Sequence, residues 1–317
     1  APSVKRGEDP TVYDDRLSQS VMAFQTLRGL KADGIIGRKT IDAMNRTLKN
    51  KRDQIIVNLE RIRWLEADMP SKYLVVNIPA QTLWAIDDDK VEIEMPVIIG
   101  RYKRQTNSFV SRVTGVRLNP TWTVPETIKF EDYLPKLSED PNYLNDKGVE
   151  FIWGRGADAL SLPPESIQWE HLSRADIKSI RMVQGPGANN PLGRIRLHMP
   201  NQFNIYLHDT NNRAKFLRED RALSSGCVRM YEPKKIAKFV LSENKNWSDE
   251  KMLKILDKGE MVDIGAQLKI PVYILYQTIW AGKDGKLIYG RDIYDRDKDL
   301  LRVLKKYKGV YEGKKDT

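Results

Sequence analysis

The sequence predicts an α+β protein in three parts: a helical N-terminal unit, a strand-rich domain, and a mixed segment inserted within that domain. Three observations lead to this prediction. Apolar residues recur at helical spacing near the N-terminus, short β-rich segments begin at residue 72, and residues 126–180 interrupt them with helical and Pro-containing sequence. The length of 317 residues corresponds to about two domains.

The helical unit is predicted over residues 1–50. Leu17, Val21 and Phe24 recur at intervals of three and four residues, which is typical of one face of an amphipathic helix. Residues 33–37 contain two glycines and predict a turn, after which apolar residues return at helical spacing. We therefore expect two short helices joined by this turn.

A helical connector is predicted over residues 51–71. Four apolar side chains fall on one face of this helix: Ile55, Ile56, Leu59 and Ile62. Charged residues fill most of its other positions, so we expect the helix to lie on the surface of the protein.

The strand-rich domain is predicted over residues 72–317. Residues 73–78, 82–86 and 91–97 are short, β-rich segments, and turn-forming residues separate the last two. Residues 126–180 do not continue this pattern, and they are too long for an ordinary loop. We interpret them as a subdomain or lid inserted within the strand-rich domain, and we call them the inserted segment.

The composition limits the classes of partner. Lys and Arg number 53 against 43 Asp and Glu, which gives a net charge of +10. The basic residues are scattered, and no zinc-finger spacing or phosphate-binding Gly-rich loop is present, so nucleic acid is disfavoured as a partner. No stretch reaches the roughly 18 apolar residues of a membrane span. We expect membrane contact only through a segment absent from this chain.

Cysteine and histidine are scarce. The chain has one cysteine and three histidines, which excludes an intrachain disulfide and a zinc site built on paired cysteines. A metal site would need His198, His208 and Asp209 to converge, and their spacing fits no strong metal motif. We therefore predict chemistry that needs neither a metal nor a cofactor.

Cys227 stands in the segment SSGCVRM. The preceding Gly226 allows a sharp backbone turn that can point successive N–H groups at one oxygen atom. Arg229 shares a strand face with the thiol, where it could lower the thiol pKa or hold a substrate carboxylate. The alternative is a structural cysteine that packs as a small apolar residue, but the small polar neighbours favour a functional thiol.

His208 stands at the end of an alternating segment, NIYLHDT. Ile205 and Leu207 would face the core, whereas Tyr206 and His208 would face the other way. A histidine at a strand end, followed by a polar loop, is well placed to act as a general base. Taken alone, it could equally be a structural histidine.

These motifs together resemble a known family. The segments HDT and SSGCVRM, with Cys227 19 positions after His208, are similar to the catalytic signature of the L,D-transpeptidases, the YkuD-type domain. Residues 12–45 resemble the small helical peptidoglycan-binding domain. The inserted segment falls where the large periplasmic transpeptidases of enterobacteria carry a substrate-capping subdomain. Two departures stand out: Ser225 replaces a histidine found in many members, and Asp209 replaces a glycine.

The resemblance implies an α+β fold with a β-rich catalytic domain, an inserted capping subdomain and an N-terminal wall-binding domain. It implies that Cys227 is the nucleophile, that His208 is the general base, and that the Asp209 backbone carbonyl orients His208. The backbone N–H groups around Gly226 and Cys227 would stabilise the oxyanion. The side chains expected to contact substrate are Arg229, Tyr206, Ser224, Ser225 and Trp122.

The implied reaction joins two peptidoglycan tetrapeptide stems, a donor and an acceptor, through a 3→3 cross-link between meso-diaminopimelate residues. It releases D-Ala, and carbapenems would acylate the same thiol. The implied location is the periplasm of a Gram-negative bacterium. Wall synthases and carboxypeptidases would be further partners.

Other functions stay open at this stage. An L,D-carboxypeptidase or hydrolase would use the same cysteine and histidine with water as the acceptor. A peptidoglycan-binding protein with an inert catalytic-like domain would keep the same wall-binding unit. A sortase-like enzyme is disfavoured, because its arginine normally lies much further along the chain from its cysteine than Arg229 does here.

Overall fold

The computed structural model describes residues 12–154 and 156–312. Residues 1–11, the start of the predicted helical unit, lie outside this range. The chain divides into two compact units. The first contains the described residues up to Met69, together with Asn77–Ala80 and the residues from Tyr276 onward, and the second contains Pro70–Val76 and Gln81–Leu275.

Three helices form the N-terminal part of the first unit: α1 (Asp15–Leu27), α2 (Arg38–Met44) and α3 (Leu48–Ile62). The Asp14 carboxylate caps α1 by accepting from the Leu17 N–H. Gln25 is buried, and its amide donates to the Ile35 carbonyl and accepts from the Gly34 N–H. This glutamine therefore fixes the predicted turn between α1 and α2, where Gly34 has a φ of +73°.

The second unit begins with four strands: β1 (Lys72–Asn77), β2 (Thr82–Asp87), β3 (Lys90–Gly100) and β4 (Phe109–Leu118). Asp88 and Asp89 both have positive φ, at +46° and +62°, and make the tight turn between β2 and β3. Gly100 ends β3, where a Cβ would lie 2.2 Å from the Arg104 carbonyl oxygen. The loop after β3 therefore folds back closely on its own strand.

The inserted segment has its own elements. In chain order they are β5 (Trp122–Thr123), α4 (Glu126–Ile128), α5 (Leu134–Glu139), β6 (Val149–Trp153), β7 (Leu160–Leu162), α6 (Arg174–Ser179) and β8 (Ile180–Gln184). A five-residue π-helical stretch, Lys129–Tyr133, joins α4 to α5. The four strands form a separate sheet in the order β5-β8-β6-β7, so this sheet extends a few residues beyond 126–180 at both ends.

The inserted segment has a hydrophobic core of its own. Its largest fully buried members are Leu137, Leu144, Phe151 and Ile180. Lys129 is also buried, and its ammonium group donates to the backbone carbonyls of Ile177 and Ile180. An independent core and sheet indicate that the segment is a subdomain rather than a loop.

The chain then returns to the main sheet. The elements are β9 (Ile195–His198), β10 (Leu207–His208), β11 (Ala222–Ser224), β12 (Val228–Met230), α7 (Pro233–Leu241), α8 (Asp249–Lys258) and β13 (Val262–Leu275). The strand order is β11-β3-β12-β10-β9-β4-β13-β1-β2, and a further pairing of β2 with β3 closes the sheet on itself. Helix α7 buries one face against β13, β4 and β9.

The chain ends with β14 (Ile279–Ala281), β15 (Leu287–Tyr289) and α9 (Arg296–Glu312). The sequence predicts that the catalytic domain extends to residue 317, but the described part of residues 276–317 packs with α3 in the first unit. The Asn58 amide donates to the Thr278 hydroxyl, and its oxygen accepts from the Thr278 N–H. The Arg61 guanidinium bonds to Asp297.

The α+β fold class is confirmed: helices and two principal sheets are both present, and the mixed segment lies between strands of the larger sheet. Within the described ranges, no helix combines the length and the apolar character that crossing a bilayer requires.

Candidate active site

Strands β10 and β12 bring the two signature motifs together. They are parallel neighbours, with Leu207 opposite Val228 and His208 opposite Arg229. Leu207 and Val228 are fully buried in the core. Because side chains alternate along a strand, Arg229 and His208 lie on the opposite face, and Cys227 shares that face. Residues 19 positions apart in the sequence therefore meet at one end of the sheet.

His208 is 3% exposed, and its Nδ1 lies 2.5 Å from the backbone oxygen of Asp209. A carbonyl oxygen can only accept, so Nδ1 carries the hydrogen and Nε2 has a free lone pair. Burial lowers the pKa of His208 to about 3, and the positive charge of Arg229 acts in the same direction. Hydrogen bonds to the backbone of Asp209 and of Leu192 oppose this shift. The imidazole is therefore neutral at pH 7, as a general base must be.

Cys227 is partly buried, and its thiol donates to the Asn204 carbonyl at 3.8 Å. The described contacts of this thiol do not include a hydrogen bond to His208. Burial raises the pKa of Cys227, while the backbone N–H of Tyr206 and the charges of Arg229 and Arg196 act in the opposite direction. The charge of Arg229 lowers the thiol pKa, but burial outweighs it. The thiol is protonated at neutral pH, so attack requires a base to remove its proton.

The loop before Cys227 is held by its own hydrogen bonds. Gly226 has a φ of +113°, a conformation that residues with a Cβ rarely adopt. Ser224 is buried, and its hydroxyl donates to the Cys227 carbonyl and accepts from the Gly226 N–H. Thr106 donates to the Gly226 carbonyl.

Two predictions are corrected by this loop. The Gly226 N–H was expected to face the oxyanion, but it is bonded to the Ser224 hydroxyl at 3.1 Å. Ser224 was expected to contact substrate, but it is only 2% exposed and serves the loop itself. The Cys227 N–H has no hydrogen-bond partner among the residues that the structure describes. It is therefore the backbone donor available to an oxyanion.

Trp122 is also placed differently from the prediction. It was expected to form a wall of the substrate cleft, but it is 7% exposed and belongs to the core of the inserted segment. Its ring meets Tyr133 edge to face, with 6.3 Å between ring centroids. The pairing of β5 with β8 turns this side chain inward.

The other predicted residues lie around the thiol. Ser225 is exposed, and its hydroxyl accepts from Arg104 at 3.0 Å. Tyr206 is half-buried, with the Arg196 guanidinium 4.8 Å from its ring centroid. Arg229 is half-buried, and its Nε has no hydrogen-bond partner in the described part of the chain. The roles predicted for these side chains stay predictions.

The Asp209 side chain points away from the imidazole. Its carboxylate accepts from the Arg194 N–H at 2.9 Å and lies 3.5 Å from the Arg213 guanidinium. Gly193 makes this approach feasible, because a Cβ there would lie 2.5 Å from the Asp209 carboxylate. The backbone of Asp209 thus serves His208 while its side chain anchors the turn before β9.

Sequence reasoning missed four residues of the site: Arg104, Thr106, Arg196 and Asn204. The residue type was a signal for Asn204, because asparagine tolerates positive φ better than most residues. In the structure, Asn204 has a φ of +53°. Arg196 alternates with Ile195 and Leu197 in the predicted strand, which placed it on the face opposite the core. Arg104 and Thr106 follow β3, far from both motifs in sequence, and their contacts depend on the fold.

A protonated thiol, a neutral buried imidazole oriented by a carbonyl, and an unpartnered N–H define the site of a cysteine-dependent acyl-transfer enzyme. The sequence model of the L,D-transpeptidase catalytic domain family, YkuD, matches residues 71–274. The chain belongs to this family. A peptidoglycan-binding domain model matches residues 5–44, of which residues 5–11 lie outside the described range.

Individual relatives are more distant. A Haemophilus influenzae protein described as an L,D-transpeptidase is 29% identical over 279 residues. The match includes 86% of this chain and 55% of that protein, so the chain spans about half the length of this curated relative.

Among solved structures, the catalytic domain of an Enterococcus faecium L,D-transpeptidase acylated by ertapenem matches with 12% identity. The match includes 66% of this chain and all of that one, with a TM-score of 0.31. A Mycobacterium smegmatis L,D-transpeptidase matches with 11% identity, 65% and 58% coverage, and a TM-score of 0.30.

Proposed function

We propose that this protein is a peptidoglycan L,D-transpeptidase that forms 3→3 cross-links between meso-diaminopimelate residues. The observation that carries this proposal is the placement of Cys227 beside a neutral His208 whose Nδ1 is held by the Asp209 carbonyl. Membership in the L,D-transpeptidase family and the match to a peptidoglycan-binding domain support a peptidoglycan substrate.

The first step forms an acyl-enzyme. His208 Nε2 takes the thiol proton as the Cys227 sulfur attacks the carbonyl at the L-centre of diaminopimelate in a donor tetrapeptide. The Cys227 N–H stabilises the oxyanion, and such a donor typically contributes about 3 kcal/mol. The C–N bond to the terminal D-Ala then breaks, and His208 returns the proton to the departing amine.

The second step resolves the thioester. The side-chain amine of an acceptor stem attacks the thioester carbonyl, and His208 takes a proton from this amine. The C–S bond breaks, the thiol regains the proton, and the new amide is the cross-link. The inserted segment would act as a cap that excludes water and favours the amine. Its presence suggests similarity to the large periplasmic transpeptidases of enterobacteria.

We also propose that the protein acts in the periplasm of a Gram-negative bacterium, the location that its resemblance to the large periplasmic transpeptidases of enterobacteria implies. Its supply of tetrapeptides requires carboxypeptidases that trim longer stems, and wall synthases make the glycan that carries them. These enzymes are the partners we propose.

Carbapenem acylation provides the first test. We expect incubation with a carbapenem to add one drug mass to the protein, because the strained lactam carbonyl is an acyl donor for an activated thiol. Cys227→Ala should gain no mass, and His208→Gln should gain it far more slowly. His171→Gln is the matched control, since His171 is exposed on the inserted segment and should leave the rate unchanged. Equal acylation of all variants would contradict the proposed site.

Product analysis separates the transferase from the hydrolase that uses the same residues. Incubation with a tetrapeptide muropeptide should yield free D-Ala together with a cross-linked dimer. Free tripeptide without dimer would show that water is the acceptor, and the transpeptidase proposal would then be wrong.

A further inference from the structure

A row of charged side chains crosses the large sheet through His208. The register places Arg229 on β12, His208 on β10 and Arg196 on β9 side by side. The row continues with Arg117 on β4 and Asp263 on β13. Directly opposed residues of neighbouring strands share a face, so these side chains lie on the face that carries Cys227.

The arginines of this row differ in their partners. Arg117 is paired with Asp263, with 2.6 Å between Nε and a carboxylate oxygen. Arg196 and Arg229, on either side of His208, have no carboxylate partner and no hydrogen bond among the residues that the structure describes. The Nε atom of each is buried. Two buried Nε–H donors without a partner in the described part of the chain are costly unless a ligand accepts from them.

Arg196 is held in place by stacking. Its guanidinium lies 4.8 Å from the centroid of the Tyr206 ring. The backbone of Tyr206 is held next to Cys227, because its carbonyl accepts from the Val228 N–H. The cation is close enough to Cys227 to oppose the effect of burial on the thiol pKa. An arginine stays charged even when buried, so this position carries a permanent positive charge next to the nucleophile.

We propose that Arg196 is a positioning residue that, together with Arg229, binds a carboxylate of the donor stem. This inference rests on the proposed function and deepens it. The donor has two carboxylates near the scissile amide: that of the terminal D-Ala and that at the D-centre of diaminopimelate. Guanidinium forks bind carboxylates through paired hydrogen bonds, and two forks on either side of His208 would fix the amide against Cys227.

The first experiment measures anion binding at the thiol without any cross-linking. Alkylation of Cys227 in the full chain is followed with iodoacetate, which is negatively charged, and with iodoacetamide, which is neutral. Arg196→Gln should lower the ratio of the iodoacetate rate to the iodoacetamide rate by about fivefold or more, because it removes a positive charge that attracts only iodoacetate. A change in thiol pKa would affect both reagents alike and cancel in the ratio.

Arg196→Lys and Arg112→Gln complete this experiment. The lysine variant keeps the charge and should keep most of the ratio, which also guards against a folding defect in Arg196→Gln. Arg112 is an exposed arginine on β4, and Arg112→Gln should leave the ratio unchanged. An unchanged ratio in Arg196→Gln, with the protein folded, would overturn the anion site whatever the reaction of the enzyme.

The second experiment identifies the carboxylate with the wild-type enzyme. Tetrapeptide donors are compared that end in D-Ala amide or that carry an amidated D-centre of diaminopimelate. With the wild-type enzyme, the donor that lacks the bound carboxylate should show a KM raised roughly tenfold to hundredfold, with a smaller change in kcat. With Arg196→Gln, this donor and the normal donor should have similar KM values. Equal KM for all three donors would overturn the inference.

The two experiments also separate this inference from the proposed function. If iodoacetate is preferred through Arg196 but only tripeptide is released, the anion site is supported and the transferase proposal is wrong. If dimers form but Arg196→Gln changes neither the alkylation ratio nor the KM, the transferase proposal is supported and the anion site is wrong.

Discussion

At the scale of single residues, the site combines a neutral imidazole with a neutral thiol. Burial disfavours the charged form of both groups, so it lowers the pKa of His208 and raises that of Cys227. The pair therefore does not rest as thiolate and imidazolium. Proton transfer to His208 therefore has to accompany the attack on the substrate, which agrees with a thiol that donates to the Asn204 carbonyl in this structure.

The pKa of His208 has a consequence for stability. Between pH 6.5 and about 3, the unfolded chain binds a proton at this histidine and the folded chain does not, so stability falls as the pH decreases. From pH 6.5 to 4.5 the wild type should lose about 2 to 3 kcal/mol more than His208→Gln in urea unfolding. His171→Gln, at an exposed site, should keep the wild-type dependence. Parallel curves for His208→Gln and wild type would contradict a neutral buried imidazole.

A substitution at Asp209 can test whether its backbone oxygen or its side-chain oxygen orients His208. The backbone oxygen contacts His208, while the carboxylate accepts from the Arg194 N–H. Asp209→Asn keeps the backbone oxygen, so we expect the second-order rate constant for carbapenem acylation to stay within about threefold of the wild type. The protein should lose roughly 1 kcal/mol of stability. A drop in this rate constant of a hundredfold or more would instead assign the catalytic role to the carboxylate.

At the scale of elements, Arg104 connects the inserted segment to the catalytic loop. This arginine follows β3, and its side chain is only 9% exposed. It donates to Glu131 and Asp132 in the inserted segment and to the Ser225 hydroxyl two residues before Cys227. One guanidinium therefore sets where the cap stands relative to the thiol.

Arg104→Gln should loosen this connection. If the cap excludes water, the variant should convert more acyl-enzyme to free tripeptide, and the ratio of hydrolysis to cross-linking should rise several-fold while carbapenem acylation persists. Lys103→Gln is the matched control, because Lys103 is exposed in the same turn. Muropeptide product analysis measures the ratio. An unchanged ratio in Arg104→Gln would mean that this contact does not control water access.

The sequence predicted the strand faces of the site better than its loops. Alternation in two short segments was enough to place His208, Tyr206 and Arg229 on one face, because a strand has a fixed period of two. The roles of Ser224 and Gly226 depend on which hydrogen bonds the loop forms with itself, and no periodicity reports that. Trp122 was misplaced because its burial comes from a sheet whose strands are far apart in sequence.

At the scale of the whole molecule, the first unit is held together by a polar helix face. The apolar face of α3 that the sequence predicted is exposed: Leu59 and Ile62 have 57% and 54% of their surface accessible. The buried face consists instead of Gln54, Val57, Asn58 and Arg61. Hydrophobic periodicity could not reveal this arrangement, because these polar side chains are buried through specific hydrogen bonds and an ion pair.

Asn58 and Leu59 therefore offer a direct comparison on one helix. Asn58 is 4% exposed, and its side chain bonds to Thr278 through both its oxygen and its nitrogen and also accepts from the Ile279 N–H. Asn58→Ala leaves these buried groups unsatisfied and should cost about 2 to 4 kcal/mol in urea unfolding, whereas Leu59→Ala should cost less than about 1 kcal/mol. Carbapenem acylation should persist in both variants at temperatures where the protein is folded. The opposite order of stabilities would mean that the exposed apolar face, and not the amide network, holds the C-terminal segment to the rest of its unit.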